Sequence, residues 1–311
     1  MSMTIAQAPG KVILFGEHAV VYGRPAIAVP VTEVKAEAQV EPGERGQGTV
    51  IVASDMGQRI VLREAGDGEA LAHLVRLVLK RLRAGRDPDL TITVTSTVPI
   101  ARGMGSGAAV ATAIARALIK HLGHWAASRT ISDLVYQSEV LYHGTPSGID
   151  NTVVAFEKPI YFVKDEGWEV FWLAKPLLLA IGDTGIESST REVVGDLRQR
   201  AAADPGRYEA LFDQVADVTR AARTALELGQ QEATGRLMDE NHALLQELDV
   251  SCPALDQLVI AAREGGALGA KLSGAGRGGN MVALVTQETR GAVDMMLRLA
   301  GAANVTVTEV R

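Results

Sequence analysis

Pro99-Ile100-Ala101-Arg102-Gly103-Met104-Gly105-Ser106-Gly107-Ala108-Ala109 runs directly into an apolar-periodic segment that ends near Leu122. Glycines let backbone fold closely around a ligand, because no Cβ blocks the approach. A helix starting behind such a loop offers unpaired N–H groups and the positive end of its macrodipole. Loop and helix start together point to a phosphate group, and so to a nucleotide. A tight strand-to-helix turn would use the same glycines, so the reading turns on what else the chain carries. The loop is not a Walker A motif, since Gly-x-x-x-x-Gly-Lys-Ser/Thr is absent, and His-Arg-Asp and Asp-Phe-Gly are missing too.

Outward from the loop, Leu90 to Val98 is a β-branched strand and Ser106 to about Leu122 a helix. Upstream, Lys11 to Gly16, Ala26 to Val31, Thr49 to Ala53 and Arg59 to Leu62 read as strands, the last two as a hairpin around Asp55-Met56-Gly57. Ala70 to Arg83 has helical spacing closed by Gly85 and Pro88. Downstream, Ser132 to Tyr142 is a helix, and Thr152 to Phe156, Ile160 to Val163 and Leu177 to Ile181 read as strands. Ser189 to Glu264 is mostly helical, and the tail returns to strand, helix and strand. This is an α+β pattern. A strand-rich half gives way to a helix-rich half between residues 155 and 180, and the expected division is 1–170 and 171–311.

The 311 residues, 47% hydrophobic and 22% charged, can bury a sizeable core. A net charge of −6 argues against a nucleic-acid partner bound through phosphate neutralisation. No apolar run is long enough for a membrane span, and the N-terminus lacks the pattern of a secretory signal. The lone Cys252 excludes an internal disulfide. A cytoplasmic enzyme is the expectation.

Three further constellations carry chemistry. Lys271-Leu272-Ser273-Gly274-Ala275-Gly276-Arg277-Gly278-Gly279-Asn280 has dinucleotide-type glycine spacing. That fingerprint needs a helix after the glycines, whereas Met281 to Val285 reads as a strand. The cluster is therefore a loop between strands, free to pack on the first glycine loop or on a ligand. Gly10-Lys11-Val12-Ile13-Leu14-Phe15-Gly16-Glu17-His18 sets three ionisable residues in an apolar, glycine-rich segment, which marks a site or a salt-bridged core feature. Glu139 and Asp150, with Ser147 between them, are eleven positions apart and could converge on a metal and a substrate hydroxyl.

Together and in this order, from about residue 8 to 285, these segments resemble the GHMP superfamily of small-molecule kinases. The resemblance implies two lobes, an N-terminal one like ribosomal protein S5 and a helix-rich, ferredoxin-like C-terminal one, with the active site in the cleft between them. The N-terminal segment is similar to the form of the signature found in members that phosphorylate mevalonate with ATP. Carried over, the resemblance implies Asp150 as the base facing the C5 hydroxyl of mevalonate, with Lys11 beside it. Pro99, Gly103, Met104, Gly105, Ser106, Gly107 and Ala108 would cradle ATP, with Gly274 and Gly276. Glu139 and Ser106 would hold Mg²⁺. Glu17, His18, Gly144, Ser147 and Thr184 would line the substrate pocket. A homodimer is common in such kinases.

The family loop usually reads Gly-Leu-Gly-Ser-Ser-Ala-Ala; here Gly107 stands at its second Ser. Two other readings remain open: another acceptor, such as phosphomevalonate, for which Arg102 and Arg191 are the nearby cations, and an inactive ATP- or metabolite-binding regulator. The kinase reading is chemically coherent. An aliphatic alcohol, with a pKa of about 16, needs a positioned proton acceptor. Phosphoryl transfer mainly needs alignment and neutralised oxygens.

Overall fold

A computed structural model of the chain describes residues 3–53, 57–100, 102–143 and 146–311, with the side chains at 142 and 143 set aside. The chain divides into two compact units that interleave along the sequence. The first comprises Met1–Gly10, Val34–Pro99 and Gly105–Glu157; the second comprises Lys11–Glu33, Ile100–Met104 and Lys158–Arg311. Two long strands, β1 (Thr4–Phe15) and β2 (Pro25–Pro42), pair with each other and pass through both units.

In the first unit, β2 is followed by β3 (Thr49–Ala53), β4 (Gln58–Val61), helix α1 (Ala70–Leu82) and β5 (Leu90–Ser96). The strand order is β4-β3-β5-β2, with β3 parallel to β5 and the other pairs antiparallel. β5 and the later part of β2 alternate buried with more exposed residues, the pattern of a sheet packed on one face. Helices α2 (Ser106–His121), α3 (Ser128–His143) and α4 (Ile149–Phe156) complete the unit and pack on one another and on α1. Helix α2 is sheathed nearly all round, with Ala108, Ala109, Ala113, Ile114, Ala117 and Leu118 at no more than 1% exposure. Its alanines allow that close approach. The turn expected at Asp55-Met56 lies outside the described residues, although β3 and β4 do pair antiparallel as a hairpin requires.

Residues 152–156, expected as a strand, are helical in α4. A short apolar run does not reveal its period, and tertiary contacts decided it. Gly148, at φ 89°, turns the chain into the helix. Asn151, buried, donates from Nδ2 to Ser132 Oγ (2.9 Å), and Thr152 Oγ1 donates to Gly148 O (2.7 Å). A strand here would leave both groups without those partners.

In the second unit, β6 (Ile160–Val163) pairs with the start of β2 and with β7 (Gly167–Val170), a short strand that carries no sequence signal strong enough to predict. β8 (Leu177–Asp183) leads to helices α5 (Thr190–Ala203), α6 (Pro205–Glu227), α7 (Gln231–Glu247) and α8 (Pro253–Glu264), as the helical repeats predict. β9 (Gly269–Ser273), β10 (Asn280–Val285), α9 (Arg290–Leu299) and β11 (Asn304–Val310) finish the chain. An antiparallel sheet in the order β11-β8-β10-β9 sets Asn280 opposite Asp183. Among the described residues no helix is long and apolar enough to cross a membrane.

Candidate active site

The glycine loop begins where Pro99 ends the extended run after β5. Gly103 and Gly105 take φ of 77° and 69°, left-handed values that favour glycine. Gly105 caps α2, and its carbonyl accepts the Ala109 N–H at 2.9 Å. In the second unit, the loop residues up to Met104 lie on the third motif, as a strand-to-strand loop there permits. A Cβ on Gly274 would stand 3.5 Å from Gly103 Cα, so the two glycines meet backbone to backbone. The Lys11 N–H donates to Met104 O at 3.0 Å, and Asn280 Nδ2 donates to Arg102 O at 2.5 Å. The Arg102 guanidinium lies 3.6 Å from Asp183 Oδ1.

The Glu17–His18 segment belongs to the same unit. Glu17 is completely buried and forms an ion pair with Lys271, which is also completely buried and donates to Leu272 O at 2.7 Å. Burial pushes the Glu17 carboxyl up and the Lys271 ammonium down, and their mutual attraction opposes both displacements. His18 sits at φ 62° and donates from Nε2 to Ala275 O at 2.8 Å, which ties the first motif to the third. Burial lowers its pKa to about 4, so the ring is neutral. Glu17 Oε2 and His18 Nδ1 are buried acceptors with no hydrogen bond among the described residues.

In the first unit, Ser106 and Gly107 open α2 and Ala108 is buried behind them. Helix α3 brings Glu139 to the same turn: a Cβ on Gly107 would lie 3.4 Å from Glu139 Oε1. Carboxylate and hydroxyl oxygens are donor types that Mg²⁺ accepts, so the chemistry of Glu139 and of Ser106 suits that ion. Asp150 is partly buried in the first turn of α4, and the Ile149 N–H donates to Ser147 Oγ at 3.4 Å.

The sequence-predicted residues thus fall into two groups. Lys11, Glu17, His18, Gly103, Met104, Thr184, Gly274 and Gly276 lie in the second unit; Pro99, Gly105 to Ala108, Glu139, Ser147 and Asp150 lie in the first. Gly144 lies outside the described residues. Gly276 is buried, and a Cβ there would collide with Val250 O at 1.9 Å, so its glycine serves chain packing. The Thr184 hydroxyl is engaged with Gly279 O at 2.9 Å. Sequence reasoning missed Lys271, Asp183 and Asn280 as site-building residues. The available signal was the lysine in the otherwise apolar strand β9 and the glutamate of the Gly10–His18 segment, each requiring a counter-charge.

A glycine loop leading into a helix, with an acidic side chain at that helix's first turn, is the local arrangement of a small-molecule phosphotransferase. Residues 71–158 match the family described as GHMP kinases N terminal domain, and residues 222–297 match GHMP kinases C terminal. The chain belongs to the GHMP kinases, an α+β fold whose members are ATP-dependent. It is similar to the mevalonate kinase of Pyrococcus abyssi, 34% identical over 96% of this chain and 93% of that protein. With the mevalonate kinase of Thermococcus gammatolerans it shares 35% identity over 98% of this chain and 96% of that one. The crystal structure of L. major mevalonate kinase in complex with R-mevalonate is 30% identical, with a TM-score of 0.85 over 100% of this chain and 96% of that chain.

Proposed function

We propose that the protein transfers the γ-phosphoryl group of ATP to the C5 hydroxyl of (R)-mevalonate, giving ADP and 5-phosphomevalonate in the cytoplasm. The observation that carries this reading is the near-full-length likeness to mevalonate kinases, from the first glycine segment to the last strand. Asp150 takes the hydroxyl proton as the oxygen attacks phosphorus, which turns a weak nucleophile into a competent one. Lys11, in the role the family resemblance implies, stabilises negative charge on the attacking oxygen. The backbone of 103–108 and the start of α2 hold the phosphates in line. Mg²⁺, held by Glu139 and Ser106, supplies charge neutralisation on the phosphate oxygens when bound. Glu17 and His18, which the family resemblance assigns to the acceptor pocket, are buried in this structure, Glu17 completely so.

One observation bears on the phosphomevalonate alternative. That acceptor needs an additional cation, and Arg102 already lies against Asp183 while Arg191 is solvent-exposed. The test is ADP release with Mg-ATP and, separately, mevalonate, phosphomevalonate, homoserine and galactose. Turnover with mevalonate alone, reduced at least ~10²-fold in Asp150→Asn, is the expected result from the usual worth of a positioned base. Turnover with another acceptor, or an Asp150→Asn variant of normal rate, overturns the acceptor or the base respectively.

A further inference from the structure

The glycine loop has little conformational restraint of its own. Glycines at 103 and 105 contribute no side chain, and glycine loses more backbone freedom on ordering than any other residue. A loop that is to present its N–H groups to phosphate binds tightly only when it is already shaped, because ordering it on binding subtracts from affinity. Besides the Lys11 N–H to Met104 O bond, the structure restrains that shape at Arg102. Arg102 O accepts a hydrogen bond from Asn280 Nδ2 at 2.5 Å, and the Arg102 guanidinium lies 3.6 Å from Asp183 Oδ1.

Asp183 and Asn280 face each other in register at the ends of β8 and β10. The two anchor points therefore stand on a hydrogen-bonded pair of strands. Asp183 is itself oriented, since its Oδ1 accepts from the Gly185 N–H at 2.8 Å. Asn280 is 2% exposed, and the side chains of Arg102 and Asp183 are 18% and 14% exposed, so water screens the contact weakly. A Cβ on Gly279 would press on Arg102 O at 3.2 Å, so the strand end and the loop backbone are in close contact.

We propose that Arg102, Asp183 and Asn280 form a positioning clamp that shapes the phosphate loop for the nucleotide, an inference that rests on the ATP-dependent reading above. Arg102 acts through the loop and not by touching phosphate. Asp183 balances its charge and keeps the guanidinium on the sheet, where an unbalanced arginine would be drawn onto the phosphates and would pull the loop with it. Asn280 fixes the same residue through its carbonyl, so side chain and main chain are restrained together.

The test is steady-state kinetics and ADP calorimetry on Arg102→Ala, Arg102→Lys, Asp183→Asn, the double variant Arg102→Ala/Asp183→Asn, and Asn280→Ala. Removing either charged member should raise KM for ATP roughly 5-fold and weaken ADP binding to match, the upper range for an ion pair whose 3.6 Å separation exceeds a hydrogen bond. Asn280→Ala, which loses a neutral hydrogen bond, should cost about 5-fold. The double variant should be no worse than the worse single one, because both remove one device. Arg102→Lys should recover part of the loss, and Arg102→Ala should leave KM for mevalonate unchanged.

A lower melting temperature with unchanged ATP and ADP constants would make the contact merely structural and overturn the proposal. So would additive losses in the double variant, or an Asp183→Asn enzyme that binds ADP normally while Arg102→Ala does not. If the wild-type protein binds ADP but phosphorylates no acceptor, the functional reading fails, and calorimetry still decides the clamp.

Discussion

Replacing Lys271 by methionine isolates the energetic consequence of the Glu17–Lys271 pair. Both side chains are completely buried, so the variant leaves a carboxyl group in the core without its counter-charge. The carboxyl then takes up a proton instead of remaining ionised. From an ordinary value of 4.5, protonation at pH of about 7.5 costs roughly 4 kcal/mol, at 1.36 kcal/mol per unit. Removal of one partner of a buried ion pair typically costs about 3–5 kcal/mol, which agrees. Against total stabilities of about 5–15 kcal/mol this is a large fraction.

The pH dependence carries the distinguishing sign. The folded variant holds a proton on Glu17 that the unfolded chain lacks above its ordinary value, so the deficit shrinks as pH falls. By pH of about 5.5 the protonation cost is only about 1.4 kcal/mol, and the gap to wild type narrows, by up to nearly 3 kcal/mol for a wild-type pair that stays ionised. Adding Glu17→Gln removes the ionisable group, so the double variant should recover most of the loss and show no such narrowing. Urea denaturation followed by both circular dichroism and tryptophan fluorescence reads all three proteins at the two pH values. A Lys271→Met protein within 1 kcal/mol of wild type (roughly the size of an exposed pair), a deficit independent of pH, or a double variant no better than the single one would refute the reasoning.

Two further predictions concern groups nearby. Burial lowers His18 and His242 to about 4 from 6.5, so each stays neutral in the fold while the unfolded chain binds a proton as pH falls through 6.5. Stability should be full above pH 6.5 and decline toward pH 4, by about 2 kcal/mol per histidine at pH of about 5. His242 accepts the Leu272 N–H on Nδ1 (3.3 Å) and faces Asp256 with Nε2 (3.2 Å), so His242→Gln should flatten the decline; urea midpoints unchanged by the substitution would refute its share. Gly107→Ser is sterically acceptable, since a Cβ meets Glu139 Oε1 at an ordinary 3.4 Å. Its hydroxyl should lower the Mg²⁺ concentration needed for half-maximal ATP binding several-fold, and raise helix stability by about 0.5 kcal/mol. Calorimetric titration of ATP at stepped Mg²⁺ reads the first, and an unchanged requirement would remove position 107 from the metal environment.

Much of the fold was legible because its signals are local. Apolar spacing in α1, in α2 and across the helices of 189–264, and β-branched runs ended by proline or glycine, depend on neighbours within a few positions. The strand after the third motif exposed the false dinucleotide fingerprint for the same reason. Residues 152–156 escaped that logic: eight residues of α4 are too few to display a period, and their helix follows from Asn151 reaching Ser132. The glycine loops were recognisable in outline. Their docking was not, because a glycine announces freedom without saying what its backbone approaches.

The amino-acid order by itself determined the class of chemistry: glycine-rich phosphate loops, an acid and a lysine at family positions, and an α+β scaffold to carry them. Only the tertiary structure decided which charges neutralise one another. Glu17 meets Lys271 from 254 positions away, and Arg102 meets Asp183 through a strand pair formed elsewhere in the chain. Local propensity is a property of adjacent residues, whereas the partner of a buried charge is chosen by whichever elements packing brings within a few ångströms.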